Sequence, residues 1–186
     1  KHIQYYTGLL LKHMAEHFPE YGLTPQQIDL IAQASVLHDI GNIGIPEAIL
    51  QKPGKLTNKE LQLMKTHTTI GCDILEQAYK NRESAFKHYC CEICHYHHER
   101  WDGSGYPDHL SGDEIPLSAQ IVGIADAYDT LIRPGKNKTS YNCKEAFEMI
   151  LAGKCGQFSP DILKCFKLAQ KELANIWQVI SMFNFS

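Results

Sequence analysis

The chain has 186 residues, 44% of them hydrophobic, and a formal net charge of −3. This composition is sufficient for a hydrophobic core and is unlike that of disordered or low-complexity proteins. The charge does not favour a nucleic-acid polymer or an anionic membrane surface as a partner, and no apolar run approaches the length of a membrane span. We therefore predict a single globular domain over 1–186 without membrane contact of its own.

Seven cysteines, an odd number without the spacing of a disulfide framework, are typical of reduced thiols in a cytoplasmic protein. The sequence begins Lys1-His2-Ile3, without methionine and already in a helical pattern. We therefore expect a fragment of a longer protein with an upstream sensor or receiver region.

Hydrophobic residues recur at helical spacing along the chain, beginning with 2–18. A second helix starts at Thr24-Pro25-Gln26-Gln27, which supplies an N-cap, a proline at the first helical position and a capping-box glutamine. We expect it to run to His38-Asp39, before Gly41. Another capping box, Thr57-Asn58-Lys59-Glu60, opens a helix that places His67 on its apolar side.

The second half of the chain continues this pattern. A helix over 84–98 ends in two histidines and leads into a glycine-rich loop. A helix over 116–132 and a polar loop over 133–141 follow, and two closing helices start at Asn142 and at Ser159-Pro160. Because no strand alternation is visible, we predict an all-α fold of six to eight helices in a compact bundle.

Side chains of metal-ligating type lie at several helix ends and in apolar helical segments. They are His2, His38, Asp39, His67, His97, His98 and Asp126. Five imidazoles and two carboxylates suit iron or manganese better than calcium. Since seven ligands are too many for one ion, we expect two divalent ions about 3.5–4 Å apart, with Asp39 as the bridging, catalytic carboxylate. A hydroxide held between them would attack a phosphodiester, whose oxygens the ions also neutralise.

Some of these residues also have a purely structural interpretation. His67 on an apolar helix face fits a hydrogen-bonded core histidine, and His2 lies at a chain end that ordinarily frays. The pair His97-His98 alone would suit a polar helix end. Asp126 is different, because a carboxylate in an apolar stretch costs several kcal/mol unless it is paired or bound to metal.

The order of these motifs resembles the HD-GYP branch of the HD phosphohydrolase superfamily. The matching residues are His38-Asp39-Ile40-Gly41, Ile45-Pro46 through Lys52-Pro53-Gly54, Leu56-Thr57, Met64-Lys65-x-His67, His97 to Pro107, Ile115-Pro116-Leu117 and Ile124-Ala125-Asp126-x-Tyr128-Asp129. The resemblance implies an HD-type helical bundle with additional C-terminal helices. It also implies a bacterial signalling enzyme that hydrolyses cyclic di-GMP to pGpG or GMP.

The resemblance further implies how the site residues divide. One ion would be held by His2, His38, Asp39 and Asp126, and the second by Asp39, His67, His97 and His98. A third ion needs a glutamate at a position before Lys1, so the choice between two and three stays open. The cyclic dinucleotide would contact Asn42, Arg100, Asp102, Gly105, Tyr106, Pro107, Arg133 and Lys136.

Two positions depart from the family pattern. Asn42 replaces the lysine that usually follows His-Asp-x-Gly, so a charge directed at substrate phosphate is lost. The segment 130–138 displaces a family arginine, whose role Arg133, Lys136 or Lys138 could fill. A second hypothesis is therefore a catalytically weak domain that acts as a cyclic-dinucleotide sensor or interaction module, as a homodimer or with partner signalling domains. A general HD nucleotide phosphohydrolase is a third hypothesis, disfavoured by the Gly-Tyr-Pro loop.

Two short motifs indicate other chemistry. Cys91-Glu92-Ile93-Cys94-His95 has the spacing of covalent haem attachment, and His13-Met14-Ala15-Glu16-His17 has that of an inverted zinc-protease motif. Because such short patterns arise readily by chance, we favour ordinary helical residues at both places.

Overall fold

The computed structural model of the protein describes residues 2–134 and 140–184. This part of the chain is mainly α-helical and contains no β-strand, which confirms the predicted all-α class. The helices are α1 (His2–His17), α2 (Pro25–Ala34), α3 (Glu47–Leu50), α4 (Asn58–Lys65), α5 (His67–Ala78), α6 (Ala85–Tyr96), α7 (Leu117–Ile132), α8 (Cys143–Leu151), α9 (Pro160–Leu168) and α10 (Gln170–Asn184).

The predicted capping sequences open the helices as expected. The Thr24 hydroxyl accepts from the Gln27 backbone amide, and the Gln27 side chain accepts from the Thr24 amide, which closes a capping box at α2. Thr57 and Glu60 form the same reciprocal pair at α4. Each box satisfies two backbone amides that a helix start otherwise leaves unpaired.

Several helix boundaries differ from the prediction. Helix α2 ends at Ala34, because the buried Ser35 hydroxyl donates to the Ala32 carbonyl at 2.7 Å and the chain tightens into a 3-10 turn. The helix after Thr57 is interrupted where the Thr66 hydroxyl donates to the Leu63 carbonyl at 2.7 Å. With α3 and α10, which were not predicted, the structure has more helices than six to eight.

Helix α7 is the centre of the hydrophobic core, since almost every residue along it is buried. It packs against α1, α6 and α8, and α1 in turn contacts α2, α9 and α10. The Tyr128 ring lies between Tyr6 at 5.5 Å and Phe166 at 5.6 Å, which joins three of these helices. None of the helices in the described ranges has the length and apolar character needed to cross a bilayer.

Close packing of two glycines sets the position of α5. A Cβ added at Gly41 would lie 1.8 Å from the His67 carbonyl oxygen, and one added at Gly71 would lie 2.2 Å from the Cys94 sulfur. The 3-10 turn Ile40–Gly44 therefore lies directly against α5, which in turn packs on α6. Gly71 thus allows the close packing of α5 against the turn and against α6.

Candidate metal centre

Asp39 lies between two groups of side chains that different helices contribute. Its Oδ1 is 3.4 Å from Nε2 of His67 and 3.9 Å from Nε2 of His97, whereas its Oδ2 is 3.5 Å from Nε2 of His38. Nε2 of His38 is also 3.7 Å from Oδ1 of Asp126. The two oxygens of one carboxylate therefore face different nitrogen groups, as a bridging ligand requires.

Four of the sequence-predicted residues form a tight cluster on the buried side of this carboxylate. One potential ligand atom from each lies within 4.8 Å of all the others; the residues are Asp39, His67, His97 and His98. His67 begins α5, and the two adjacent histidines follow the last turn of α6. At these helix ends the imidazoles can extend into the space between neighbouring helices.

Backbone carbonyls fix the orientation of three imidazole rings. Nδ1 of His38 lies 2.8 Å from the Ser35 carbonyl, and Nδ1 of His67 lies 2.8 Å from the Met64 carbonyl. Nδ1 of His97 is 3.0 Å from the Ile93 carbonyl. Because a carbonyl oxygen only accepts, each Nδ1 must carry the proton, which directs the lone pair of Nε2 into the cluster in the neutral ring.

The cluster contains polar atoms that no group of the described residues satisfies. Nε2 of His67 and Nε2 of His97 are buried without a hydrogen-bond partner among the described residues. Leaving a buried nitrogen unpaired costs about 1–3 kcal/mol, so folded proteins seldom keep such atoms without a ligand. Two unpaired lone pairs beside a carboxylate fit a divalent transition metal.

The electrostatic environment keeps part of the cluster uncharged. Burial lowers the pKa of His98 to about 3, and burial followed by the neighbouring imidazoles lowers the pKa of His97 well below its usual value. Burial alone would also lower the pKa of His38, but the Asp126 and Asp39 carboxylates outweigh it and raise that pKa. His97 and His98 are thus neutral at pH 7 and can bind a cation without first losing a proton.

His2 is not a member of the four-residue cluster, and a carboxylate that the sequence analysis did not name holds its ring. Its Nδ1 is 3.0 Å from Oδ1 of the buried Asp129, and its ring meets Trp177 edge-on at 5.5 Å. A carboxylate on Nδ1 is the usual partner of a histidine that ligates through Nε2. Metal binding by His2 stays a prediction. The sequence offered the same indication for Asp129 as for Asp126, namely a carboxylate within an apolar helix.

The Gly-Tyr-Pro loop packs directly on the cluster. The Tyr106 ring stacks on His98, with centroids 4.7 Å apart and planes 22° apart, and Lys65 Nζ lies 4.7 Å from the Tyr106 centroid. A Cβ at Gly105 would lie 2.4 Å from Glu99 Cα, so only glycine allows this approach. Pro107 completes the turn after a cis Tyr106–Pro107 bond.

Two residues that anchor or border this loop were not singled out from the sequence. The buried Glu99 accepts from the Asp108 backbone amide at 2.7 Å, which fastens the end of the loop to the turn after α6. Lys65 belongs to the Met-Lys-x-His motif, which by itself assigns this lysine no role. Its position over Tyr106 depends on the packing of α4 against the loop, which no local pattern reveals.

The other predicted substrate residues are placed as follows, and their substrate contacts stay predictions. Arg100 donates to the carbonyls of His97, Glu99 and Cys155, at 3.2, 2.8 and 3.0 Å, so it also braces the turn. Asp102 accepts from the amide and hydroxyl of Ser104 within the loop. Asn42 is half-buried in the 3-10 turn Ile40–Gly44, and Arg133 pairs with Asp129. Lys136 and Lys138 lie outside the described residues.

The haem motif does not fit its surroundings. Cys94 is fully buried, and its thiol donates to the His38 carbonyl at 3.2 Å, next to the candidate ligand cluster. His95 instead pairs with Asp108 at 3.1 Å. A porphyrin could not reach Cys94 without opening the core, so the ordinary helical interpretation is the better one.

Comparisons with known proteins relate the chain to one family model and to several named proteins. The HD domain model matches residues 10–162. The chain is 38% identical over 176 residues, 93% of its length, to a protein named cyclic di-GMP phosphodiesterase from Vibrio cholerae, of which it covers 36%. It is 42% identical over 173 residues, 92% of its length, to a protein of the same name from Thermotoga maritima, of which it covers 45%.

Further similarities concern a related substrate and the fold. The chain is 40% identical over 144 residues, 77% of its length, to 3'3'-cGAMP-specific phosphodiesterase 2 of Vibrio cholerae, of which it covers 27%. The chain thus spans less than half the length of these curated relatives. A solved HDG"Y"P protein from Bdellovibrio bacteriovorus has a similar fold, with a TM-score of 0.65, 20% identity, and coverage of 95% of this chain and 51% of that one.

Proposed function

Because the chain belongs to the HD domain family, we propose that it is a metal-dependent phosphodiesterase that opens a cyclic dinucleotide, with cyclic di-GMP as its substrate and pGpG or GMP as its product. The names of relatives at 38–42% identity support the substrate class. Cyclic GMP-AMP is the alternative substrate, because one of these relatives is named for it.

The position of Asp39 carries this proposal. Its two oxygens face separate imidazole groups, and two of the nearby nitrogens are buried without a partner among the described residues. A site built only for packing would leave these polar atoms at a cost with no compensation. The donor set of imidazoles and carboxylates fits two iron or manganese ions better than calcium or magnesium.

The residues would share the ions as follows. Asp39, His67, His97 and His98 would hold one ion, and His38, Asp126 and His2, with Asp39 as the shared ligand, would hold the other. Bound divalent ions supply an activated water and neutralise phosphate charge. The protein's own contribution is to select the Nδ1-protonated tautomer of the neutral His38, His67 and His97 rings through their contacts to backbone carbonyls. This tautomer leaves the Nε2 lone pair of each neutral ring available to an ion. The protein also holds Asp39 between the two groups.

The substrate would lie against the Gly-Tyr-Pro loop. Tyr106 stacks on His98 and thereby places an aromatic ring beside the proposed metal ligands. Lys65, over the same ring, brings a positive charge to this side of the site, where Asn42 offers none. We assign Lys65 as the residue that contacts the substrate phosphate. Arg133 is less available for this contact, because it pairs with Asp129.

The test is turnover by the full chain reconstituted with Mn²⁺ or Fe²⁺, on a panel of cyclic di-GMP, cyclic GMP-AMP and cyclic di-AMP, with linear products resolved by chromatography. We expect hydrolysis of cyclic di-GMP, and loss of both hydrolysis and bound metal in Asp39→Ala at unchanged helix content. Asp73→Ala, which removes an exposed carboxylate on α5, is the control. Full activity in Asp39→Ala would exclude the metal mechanism.

One observation favours a second function. Asn42 removes a charge expected at the substrate phosphate, which supports a domain that binds the cyclic dinucleotide as a sensor or interaction module and hydrolyses it poorly. The same assay separates the two functions, because a sensor would bind cyclic di-GMP in equilibrium dialysis while no linear product accumulates.

A further inference from the structure

A second group of potential metal ligands lies at the other end of α1. One ligand atom from each of three residues lies within 4.8 Å of the others; the residues are His13, Glu16 and His17. With a rise of about 1.5 Å per residue, His13 lies about 16 Å along the helix from His2, so this group is separate from the Asp39 centre. We propose that it is a second metal site, with a donor set suited to Zn²⁺ and other borderline cations.

The helix itself organises the two imidazoles. Residues four positions apart lie one above the other on a helix face, and the rings of His13 and His17 are parallel within 9°, with centroids 5.9 Å apart. Glu16 places its carboxylate next to them on the same turn. Two imidazoles and one carboxylate are the three protein ligands of an open zinc site, whose fourth position is taken by water.

A carboxylate from another helix orients one of these ligands. Oε1 of Glu172, near the start of α10, lies 2.9 Å from Nε2 of His13. Carboxylate contacts of this kind hold a metal-ligating histidine in the required orientation. The sequence motif alone could not supply this residue, because His13 and Glu172 are 159 positions apart.

The spacing is compatible with one ion after small side-chain rotations. Ligands about 2.0–2.1 Å from a tetrahedral zinc lie about 3.4 Å from each other, which is closer than the 4.8 Å limit of the group. Glu16 and His17 are exposed and can rotate freely, whereas His13 is half-buried and held by Glu172. The partly fixed ligand would receive the ion, and the two exposed ligands would close on it.

The proposed site lies where α1 contacts α10. Glu172 belongs to α10, and Trp177 of the same helix packs against His2 at the opposite end of α1. An ion that fixes His13 also fixes its contact with Glu172, and so fastens α10 along α1. We therefore assign to the site the role of a cation-dependent clamp between these helices.

The experiment counts Zn²⁺ ions bound per chain by competition with a chromophoric chelator, using the full chain. His17→Gln should bind one Zn²⁺ fewer than the unmodified protein, while Glu172→Gln should keep the number but bind that ion about 10–100-fold more weakly. The matched control is His88→Gln, which removes an exposed helical histidine 3.5 Å from a glutamate one turn later.

The control should retain the full number and affinity of bound ions. The proposal is overturned if His17→Gln binds as many Zn²⁺ ions as the unmodified protein, or if His88→Gln loses the same equivalent. Because neither His17 nor Glu172 belongs to the Asp39 centre, the result does not depend on whether the proposed phosphodiesterase activity is found.

Discussion

At the scale of single residues, the site depends on which atom of a side chain is used. The three imidazoles donate through Nδ1 to carbonyls of their own or the preceding turn, and this local bond directs Nε2 toward Asp39. Tyr106 contributes a ring that stacks on His98, and burial raises the pKa of its hydroxyl. These two features lead to separate tests on substrate contact.

Replacing Tyr106 by Ala should weaken cyclic dinucleotide turnover with little change in metal content or melting temperature. The substitution removes a ring that would stack on the substrate, and an aromatic stacking contact contributes about 0.5–1.5 kcal/mol, or roughly a two- to thirteen-fold effect on turnover. Steady-state kinetics with metal analysis measures this, and Tyr106→Phe, which keeps the ring, should remain near the unmodified rate. Unchanged kinetics in the alanine variant would assign the loop to packing or partner contacts.

The side chains at positions 42 and 65 should both affect how tightly the substrate phosphate is bound. A charged hydrogen bond contributes about 1.5–3 kcal/mol against about 1 for a neutral one, a difference of roughly 0.5–2 kcal/mol, so Asn42→Lys should raise kcat/KM about two- to thirty-fold. Lys65→Gln should lower it by a similar factor, and by less in the Asn42→Lys background, where a second cation shares the phosphate. Equal activity of Lys65→Gln and the unmodified protein would exclude Lys65 and return attention to Arg133 and Lys136.

At the scale of elements, contacts between helix ends determine where the ligands lie. The Ile40–Gly44 turn rests on α5 through Gly41 and Gly71, with no space for a side chain at either residue. This contact fixes the distance between Asp39, just before the turn, and His67, the first residue of α5. The start of α4 is in turn fixed by its capping box.

Gly41→Ala should destabilise the fold and disturb the site together. Its Cβ would overlap the His67 carbonyl and the Gly71 amide, which are backbone atoms. We expect the free energy of unfolding to fall by at least the usual cost of overpacking, about 1–3 kcal/mol, and metal binding to weaken. The control is Gly8→Ala in α1, where the nearest atom is 3.6 Å away and better helix propensity should add up to about 1 kcal/mol. Urea unfolding compares the two, and equal stability of both variants would contradict the packing argument.

The capping box of α4 should contribute stability with a defined pH dependence. The Lys52 side chain, followed by the Thr57 amide and hydroxyl, lowers the pKa of Glu60 from 4.5 to about 2. A depressed carboxyl pKa stabilises the folded state fully above about pH 4.5, and this contribution is lost as the pH falls toward 2. Glu60→Gln should therefore lower the melting temperature most at pH 6, with a difference that shrinks on acidification.

Thermal melts from pH 6 to pH 3 measure this difference. Glu47→Gln, which changes an exposed carboxylate at the start of α3, should show a smaller effect over the same range. A Glu60→Gln difference that stays constant with pH would mean that ionisation of this carboxyl group does not contribute.

At the scale of the whole molecule, the proposed metal ligands come from segments that are far apart in the chain. They begin α1 and α5, follow α2 and α6, and lie within α7, which is itself the centre of the core. An ion bound by these residues can form its site only when the helices are packed together. Metal binding should therefore be coupled to folding of the domain as a whole.

Metal removal should lower the melting temperature of the entire transition. At a concentration 100 times its Kd, a ligand that binds only the folded state adds about 2.7 kcal/mol, or roughly 5–10 °C for a chain of this size. Calorimetry before and after chelation and Mn²⁺ addition measures the shift, which Asp39→Ala should lose. An identical melting temperature with and without metal in the unmodified chain would argue against a folded-state site.

The sequence by itself determined the helical class, the capped helix starts, and the set of side chains around Asp39. The helical class and the helix starts depend on neighbours within one or two helical turns, where spacing and cap chemistry act directly. The side chains around Asp39 are distant in the chain, and they were named by their ligand chemistry and by motifs that resemble a known family. The tertiary structure alone decided that the two oxygens of Asp39 face different imidazole groups, that Lys65 lies over Tyr106, and that Glu172 meets His13. Such contacts join residues far apart in the chain, and their distances follow from how whole helices pack rather than from any local pattern.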